Sequence, residues 1–86
     1  MAYRIEFAPR AERQFDDLPR EVQERLTPRI EALAENPRPQ GVKKLAGEPG
    51  LYRLRVGDYR IVYQIRDQEL FILVVKIGHR REVYRR

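Results

Sequence analysis

The fold of this chain is decided by residues 51–65, LYRLRVGDYRIVYQI. Apolar and polar side chains alternate there with a period of two, which is typical of strands that bury one face. Gly57 and Asp58 interrupt the alternation and supply a two-residue turn. The stretch therefore predicts a tight β-hairpin.

Counting outward from this turn fixes the register of the hairpin. Arg55 is predicted to lie directly opposite Arg60, and Arg53 opposite Val62, so that three arginines share one sheet face. Opposed like charges destabilise a strand pair by about 0.2–1 kcal/mol, so folding alone would not select them. We expect an anion to bind this face. The alternative is a face that is merely solvated.

The rest of the chain predicts one further strand on each side and two helices. Residues 3–7 alternate as a first strand, and residues 70–75 form the apolar run of a strand covered on both faces, central in the sheet. Apolar residues recur at helical spacing in residues 11–18 and again in residues 22–33. Pro28 lies inside the second helix, where we expect a kink or a break.

The segment between the second helix and the hairpin contains two prolines and a glycine in residues 36–41, which end the helix. We expect a loop to follow, carrying Lys43 and Lys44. The predicted order is strand, two helices, three strands and a tail. Residues 1–86 thus form a single α+β domain, with a small antiparallel or mixed sheet and both N-terminal helices on one of its faces.

Composition narrows the class of protein. Of the 86 residues 42% are hydrophobic and 36% are charged, enough for one packed core under an ionic surface. No apolar run reaches the roughly 20 residues of a membrane span and no secretory signal is visible, so we expect a cytoplasmic protein without membrane contact. Zero cysteines and a single histidine argue against disulfides and metal sites, and we expect no cofactor.

The net charge of +5 is unevenly distributed. Residues 1–36 carry six basic and eight acidic side chains and sum to −2, whereas residues 37–86 carry twelve and five and sum to +7. A surface with this much positive charge attracts polyanions and raises their local concentration. Nucleic acid is the first candidate partner, and an acidic protein is the second.

The C-terminal tail, residues 78–86, brings the only histidine and four arginines next to the hairpin. RNA cleavage without a metal needs a base for the 2′-hydroxyl, cations for the charge developing on phosphorus, and an acid for the departing oxygen. Arginine is too basic to act as the base. That base is His79, Tyr84 or the substrate's own surroundings. Equally, His79 could be a surface residue and Tyr84 an anchor or a base-stacking aromatic.

These elements together resemble the RelE/ParE toxin superfamily, in its RelE-like mRNA interferase branch. The resemblance is carried by residues 3–7, 36–38, 41–45, 51–63 and 78–84, and it spans essentially the whole chain. It implies a type II toxin that enters the ribosomal A site and cuts mRNA there as a metal-independent endoribonuclease, inhibiting translation and growth. It also implies a tightly bound, acidic, RelB-like antitoxin. We expect a monomer when the toxin is alone and a hetero-oligomer with the antitoxin.

The resemblance also assigns residues. The family's catalytic positions fall on Arg53, Arg55 and Arg60 in the hairpin and on Arg80 and Tyr84 in the tail, and some relatives use a histidine here represented by His79. The RelE branch has lysines where this chain has its first two arginines, so a lysine-dependent proton transfer is not carried over. Contacts to RNA or the ribosome are expected from Lys43, Lys44, Arg81, Arg85 and Arg86.

Two rival functions follow from the same residues. The ParE branch shares the fold but inhibits DNA gyrase by binding, without nuclease chemistry; the occupied positions at Arg60, Arg80 and Tyr84 argue against it. A non-catalytic RNA-binding module would use the arginines to hold phosphates and the tyrosine to stack on a base.

Overall fold

The computed structural model describes residues 2–79 as a five-stranded sheet with two helices against one face. Neither helix in this range has the length and apolar character needed to span a membrane. A short 3₁₀ turn at Asp67–Glu69 joins the last two strands. The strands are β1 (Arg4–Phe7), β2 (Lys43–Lys44), β3 (Leu51–Val56), β4 (Tyr59–Arg66) and β5 (Phe71–His79), and the helices are α1 (Pro9–Asp16) and α2 (Arg20–Ala32).

The sheet has the strand order β1-β5-β4-β3-β2. β1 runs parallel to β5, and every other neighbouring pair is antiparallel. The mixed sheet and the α+β class are those predicted. The apolar strand predicted from residues 70–75 becomes β5, which has a neighbour on each side and is therefore interior.

The β3–β4 hairpin has the register predicted from its turn. Arg55 lies opposite Arg60 and Arg53 opposite Val62. Gly57 adopts a φ of +60°, in the left-handed region that glycine enters without steric cost. The turn residue thus fixes which hairpin side chains share a face.

The hydrophobic core lies between the helices and one face of the sheet. Leu26 of α2 is fully buried, and burial of a leucine side chain contributes about 1.5–3 kcal/mol. Tyr63 is also fully buried, and its hydroxyl donates a 2.7 Å hydrogen bond to the carbonyl oxygen of Pro37. Burial raises the pKa of Tyr63, so it stays a neutral donor. The sheet side of this core consists of Leu54, Val56, Ile61, Tyr63, Ile65, Ile72, Val74 and Ile77.

One irregularity in β5 decides which side chains reach the core. Val62 pairs with Lys76, but the next residue of β4, Tyr63, pairs with Val74, so Val75 is an extra residue in a β-bulge. Side chains alternate along a strand, and without the bulge Lys76 would follow Val74 into the core. The bulge reverses the alternation, which buries Ile77 and turns Lys76 to the opposite face.

Three local features differ from the sequence prediction. Lys43 and Lys44 form a short edge strand instead of a loop, because β3 offers them a pairing partner. β5 continues to His79, so the first two residues assigned to the tail belong to the sheet. Of the kink or break predicted at Pro28, the break does not occur: α2 runs unbroken through this residue, which is on its exposed side, where the carbonyl group that loses its partner can reach water.

A polar cluster fastens the loop before β2 to the turn after β4. Arg38 donates two hydrogen bonds to Asp67, of 2.8 and 3.2 Å, and a third of 3.1 Å from Nε to the hydroxyl of Tyr52. Tyr3 donates to the same carboxylate at 2.7 Å. The hydrogen bonds from Arg38 and Tyr3 lower the pKa of Asp67 from its ordinary value of 3.8 to about 2.

This cluster predicts an acid-dependent loss of stability. The pKa of Asp67 is depressed in the folded state. The contribution of its ionised carboxylate to folding stability is therefore fully present above pH 3.8 and is lost as the pH falls towards about 2. Urea unfolding at several pH values in that window should therefore show a smaller loss of stability for Asp67→Asn than for the unchanged protein. Arg38→Gln should reproduce the effect. Parallel pH profiles for all three proteins would contradict it.

Candidate active site on the basic face of the sheet

The sheet face that points away from the helices carries the predicted arginines. Leu54 and Ile61 are a directly opposed pair buried in the core. Because neighbouring side chains on a strand point to opposite faces, the residues on either side of this pair point away from the helices. We refer to this surface as the basic face, and it consists of Lys43, Arg53, Arg55, Arg60 and Lys76.

Arg60 is the buried residue of the basic face. It pairs with Arg55 on one side and with Gly78 on the other. Only 7% of it is exposed, and it is the one charged residue within residues 2–79 that is buried. Since Gly78 has no side chain, nothing on that residue competes for the space beside the guanidinium. A cation held in such a low-dielectric position acts more strongly on a nearby phosphate than an exposed one.

The two arginines of β3 differ in exposure. Arg53 is half-buried, between Lys43 of β2 and Val62 of β4. Arg55 is exposed, and its Nε donates a 3.2 Å hydrogen bond to the carbonyl oxygen of Gly57. This bond holds the Arg55 guanidinium towards the tip of the hairpin.

The two lysines of β2 are separated by strand alternation. Lys43 is opposite Arg53 and belongs to the basic face, whereas Lys44 is opposite Tyr52 and points to the other side. Both are exposed. The structure therefore brings one of the two lysines predicted to bind RNA next to the arginines, and not the other.

Lys76 is a residue of the basic face that sequence reasoning missed. It pairs with Val62, two residues from Arg60 along β4. The only sequence signal was a lysine that directly follows the apolar run of residues 70–75. Its orientation depends on the bulge at Val75, which the hydrophobic pattern does not reveal.

The strands that form the basic face contain no acidic residue. β2 to β5 read KK, LYRLRV, YRIVYQIR and FILVVKIGH. Acids lie at the other end of this side of the sheet, where Glu6 pairs with Arg4 at 3.0 Å and Glu69 pairs with Arg66 at 3.7 Å. No carboxylate of these four strands offsets the field of the basic face, which favours a bound polyanion.

His79, the last residue of β5, points to the helix side of the sheet. It lies directly opposite Tyr59, and the two rings meet edge to face with centroids 5.6 Å apart. Gly78, its neighbour, is the residue that shares a face with Arg60. The sheet therefore separates the imidazole from the basic face. The acid or base role predicted for His79 stays a prediction, and it requires substrate to reach round the end of β5.

The tail residues predicted as part of the site lie outside the described residues. This applies to Arg80 and Tyr84, for which a catalytic role is predicted, and to the predicted RNA contacts Arg81, Arg85 and Arg86.

The arrangement can bind and polarise phosphate groups. Guanidinium groups match two phosphate oxygens at once, and they stay charged at any physiological pH. For the same reason the arginines can stabilise a developing negative charge but cannot accept a proton. Within residues 2–79 no three His, Cys, Asp or Glu side chains converge as metal ligands would. The described part of the candidate site is thus a cationic surface suited to binding anions.

Sequence comparison relates the chain to toxins. The family model described as ParE toxin of the type II toxin–antitoxin system, parDE, matches residues 5–84. The mRNA interferase toxin RelE of Escherichia coli K12 is 36% identical over 88 residues, which cover 98% of this chain and 92% of the relative. The putative toxin RelE1 of Methanocaldococcus jannaschii is 30% identical over 88 residues, covering 99% and 98%.

Structural comparison also relates the chain to RelE toxins. RelE in the intact E. coli RelBE toxin–antitoxin complex superposes with a TM-score of 0.81 at 31% identity, over 91% of this chain and 96% of the other. The archaeal RelE–RelB complex from Pyrococcus horikoshii OT3 gives a TM-score of 0.82 at 29% identity, over 93% and 97%. The two sequence relatives and these two structures are matched over nearly their full length.

The separation of the two lysines predicts unequal contributions to RNA binding. Lys43→Ala should weaken binding of a single-stranded RNA oligonucleotide. It should also make the slope of log affinity against log salt concentration less steep, by about 0.7 per lost phosphate contact. Lys44→Ala, its neighbour of equal charge, should change both less because it points away from the arginines. Fluorescence anisotropy across a salt series measures this. Equal effects of the two substitutions would show that only net charge matters.

Proposed function

We propose that this chain, which belongs to the family of ParE and RelE toxins of type II toxin–antitoxin systems, cuts mRNA in the ribosomal A site. The chain is a RelE-like toxin, and two observations support the finer assignment. Its 36% identical relative is named an mRNA interferase, and the sheet face that would meet RNA is built from cations without an acid. Translating ribosomes would place this action in the cytoplasm.

The proposed reaction is metal-independent attack by a 2′-hydroxyl on the neighbouring phosphorus. The 2′-oxygen loses its proton to a base and forms a bond to phosphorus, while the bond from phosphorus to the 5′-oxygen breaks and that oxygen takes a proton. Negative charge grows on the phosphoryl oxygens in between. Arg60 is the residue we assign to that charge, because it is the buried cation of the basic face. Arg53 and Arg55, on the neighbouring strand β3, would hold the phosphates.

Proton transfer in this proposal belongs to residues 79–84 of the sequence. Tyr84 and His79 are the candidates for base and acid, and Arg80 is an additional cation between them in sequence. The single histidine and the absence of cysteine support a route that uses side chains of the chain instead of a metal-bound water.

A second candidate function is favoured by the family model, which is described as a ParE toxin. In that case the chain would bind and inhibit DNA gyrase without cleaving RNA. Supercoiling assays and mapping of mRNA 5′ ends after induction separate the two. New 5′ ends inside translated reading frames support the nuclease, and loss of supercoiling with intact mRNA supports the gyrase inhibitor. RNA binding without cuts would identify a non-catalytic RNA-binding module.

We also propose that a RelB-like antitoxin silences the chain. The relatives of known structure include RelE toxins in complex with RelB. An antitoxin for this chain should carry an acidic segment that covers the basic face or displaces the tail, because the half of the chain from residue 37 carries a net charge of +7. A short gene for an acidic protein next to this one is the expected genomic setting.

The nuclease assignment predicts the effect of removing Arg60, the buried cation of the basic face. Arg60→Ala should lower the rate of mRNA cleavage on programmed ribosomes by about 10²–10³-fold, the usual cost of losing one preorganised charge-stabilising group. Tyr84→Phe should also abolish growth arrest if its hydroxyl carries a proton. Thermal unfolding serves as the control for each variant. Full cleavage by a folded Arg60→Ala protein would remove this residue from the mechanism.

The antitoxin proposal predicts protection of the basic face. In the complex, Lys43 should react more slowly with an amine-acetylating reagent than in the free toxin, and Lys44 should be protected less. Mass spectrometry of the modified peptides measures both in one sample. An antitoxin that leaves Lys43 as reactive as in the free toxin binds elsewhere.

A further inference from the structure

The tip of the β3–β4 hairpin is approached by arginines from both sides of the sheet. On the basic face, Nε of Arg55 donates to the carbonyl oxygen of Gly57 at 3.2 Å. On the helix side, Nη1 of Arg25 lies 3.7 Å from the position that a Cβ on Gly57 would occupy. Two guanidinium groups thus lie against the same turn residue.

Arg25 differs from the other exposed arginine in the first half of its helix. Arg20 forms an ion pair with Glu24, one turn along α2, at 3.4 Å. For Arg25, which is also exposed, no ion pair occurs within residues 2–79. The Arg25 side chain therefore reaches the hairpin without the surface acid that commonly fixes such an arginine.

One acid also lies in the turn. Asp58 is the second turn residue, and neither Arg25 nor Arg55 forms an ion pair with it in the described part of the chain. Two cations beside one turn repel each other, a cost that the hydrogen bond from Arg55 to Gly57 has to offset. An anion bound across the turn would relieve this repulsion and accept hydrogen bonds from both groups.

We propose that Arg25 and Arg55 together bind the phosphodiester backbone of RNA at the hairpin tip. The RNA-binding surface then continues from the basic face, round Gly57, onto α2. This inference rests on the proposed function, because it extends the surface that the substrate or the ribosome would contact. Arg25 is assigned to binding and not to the chemical step, as it lies on the opposite side of the sheet from Arg60.

Two sources of phosphodiester fit this tip, the mRNA and the ribosomal RNA. The test compares them with two probes, a labelled single-stranded RNA oligonucleotide and ribosomes that carry no mRNA. Each is titrated with the full-length protein, with Arg25→Ala and with Arg20→Ala. The last variant is the matched control, since it removes the same charge from the same helix away from the hairpin.

Arg25→Ala should bind about three- to tenfold more weakly, and its slope of log affinity against log salt concentration should be less steep by about 0.7–0.9. Arg20→Ala should change both quantities little. Loss on the oligonucleotide assigns the contact to mRNA, and loss on ribosomes alone assigns it to ribosomal RNA. On programmed ribosomes, Arg25→Ala should raise KM and leave kcat within about twofold.

Equal affinities of Arg25→Ala and Arg20→Ala for both probes would overturn the inference even if the protein cuts mRNA. An Arg25→Ala protein that loses kcat at unchanged KM would overturn it as well. Failure of the proposed function looks different: the unchanged protein would then bind RNA, with or without dependence on Arg25, and leave translated mRNA intact.

Discussion

Val75 is the extra residue of a β-bulge, and the separate character of the two sheet faces depends on it. β5 must bury Ile72, Val74 and Ile77, whose spacing does not fit a strict period of two. The bulge absorbs the mismatch. The core gains Ile77, and the opposite face gains Lys76 in line with the arginines of the hairpin. A hydrophobic requirement and an electrostatic one are met by a single inserted residue.

The basic face opposes the folding of the hairpin that carries it. Arg55 lies opposite Arg60 and Lys43 opposite Arg53, each pair costing about 0.2–1 kcal/mol. The other face of the same strands offsets this cost, because it contributes buried apolar side chains to the core, among them Leu54, Ile61 and Tyr63. The sheet thus works as a two-sided element in which the core side provides the stability and the basic side is available for binding.

Local rules predicted the hairpin well because a two-residue turn determines its register within the same short stretch. The same rules could not predict that Lys43 and Lys44 form a strand, since that depends on pairing with β3, nor that His79 faces the helices, since that depends on the bulge. The bonds of Arg38 to Asp67 join residues far apart in sequence. The shared sheet face of Arg53, Arg55 and Arg60 was therefore predictable from sequence, and the position of Lys76 beside them was not.

The edge strand β2 has a consequence beyond binding. An edge strand exposes unpaired backbone groups on which the strand of another molecule can add, and many sheets aggregate by that route. Here the edge is two residues long and both are exposed lysines, a sequence that resists such pairing by charge and by shortness. The other edge, β1, carries Arg4 and Glu6. Edges that are short or charged in this way disfavour strand pairing between copies of the chain.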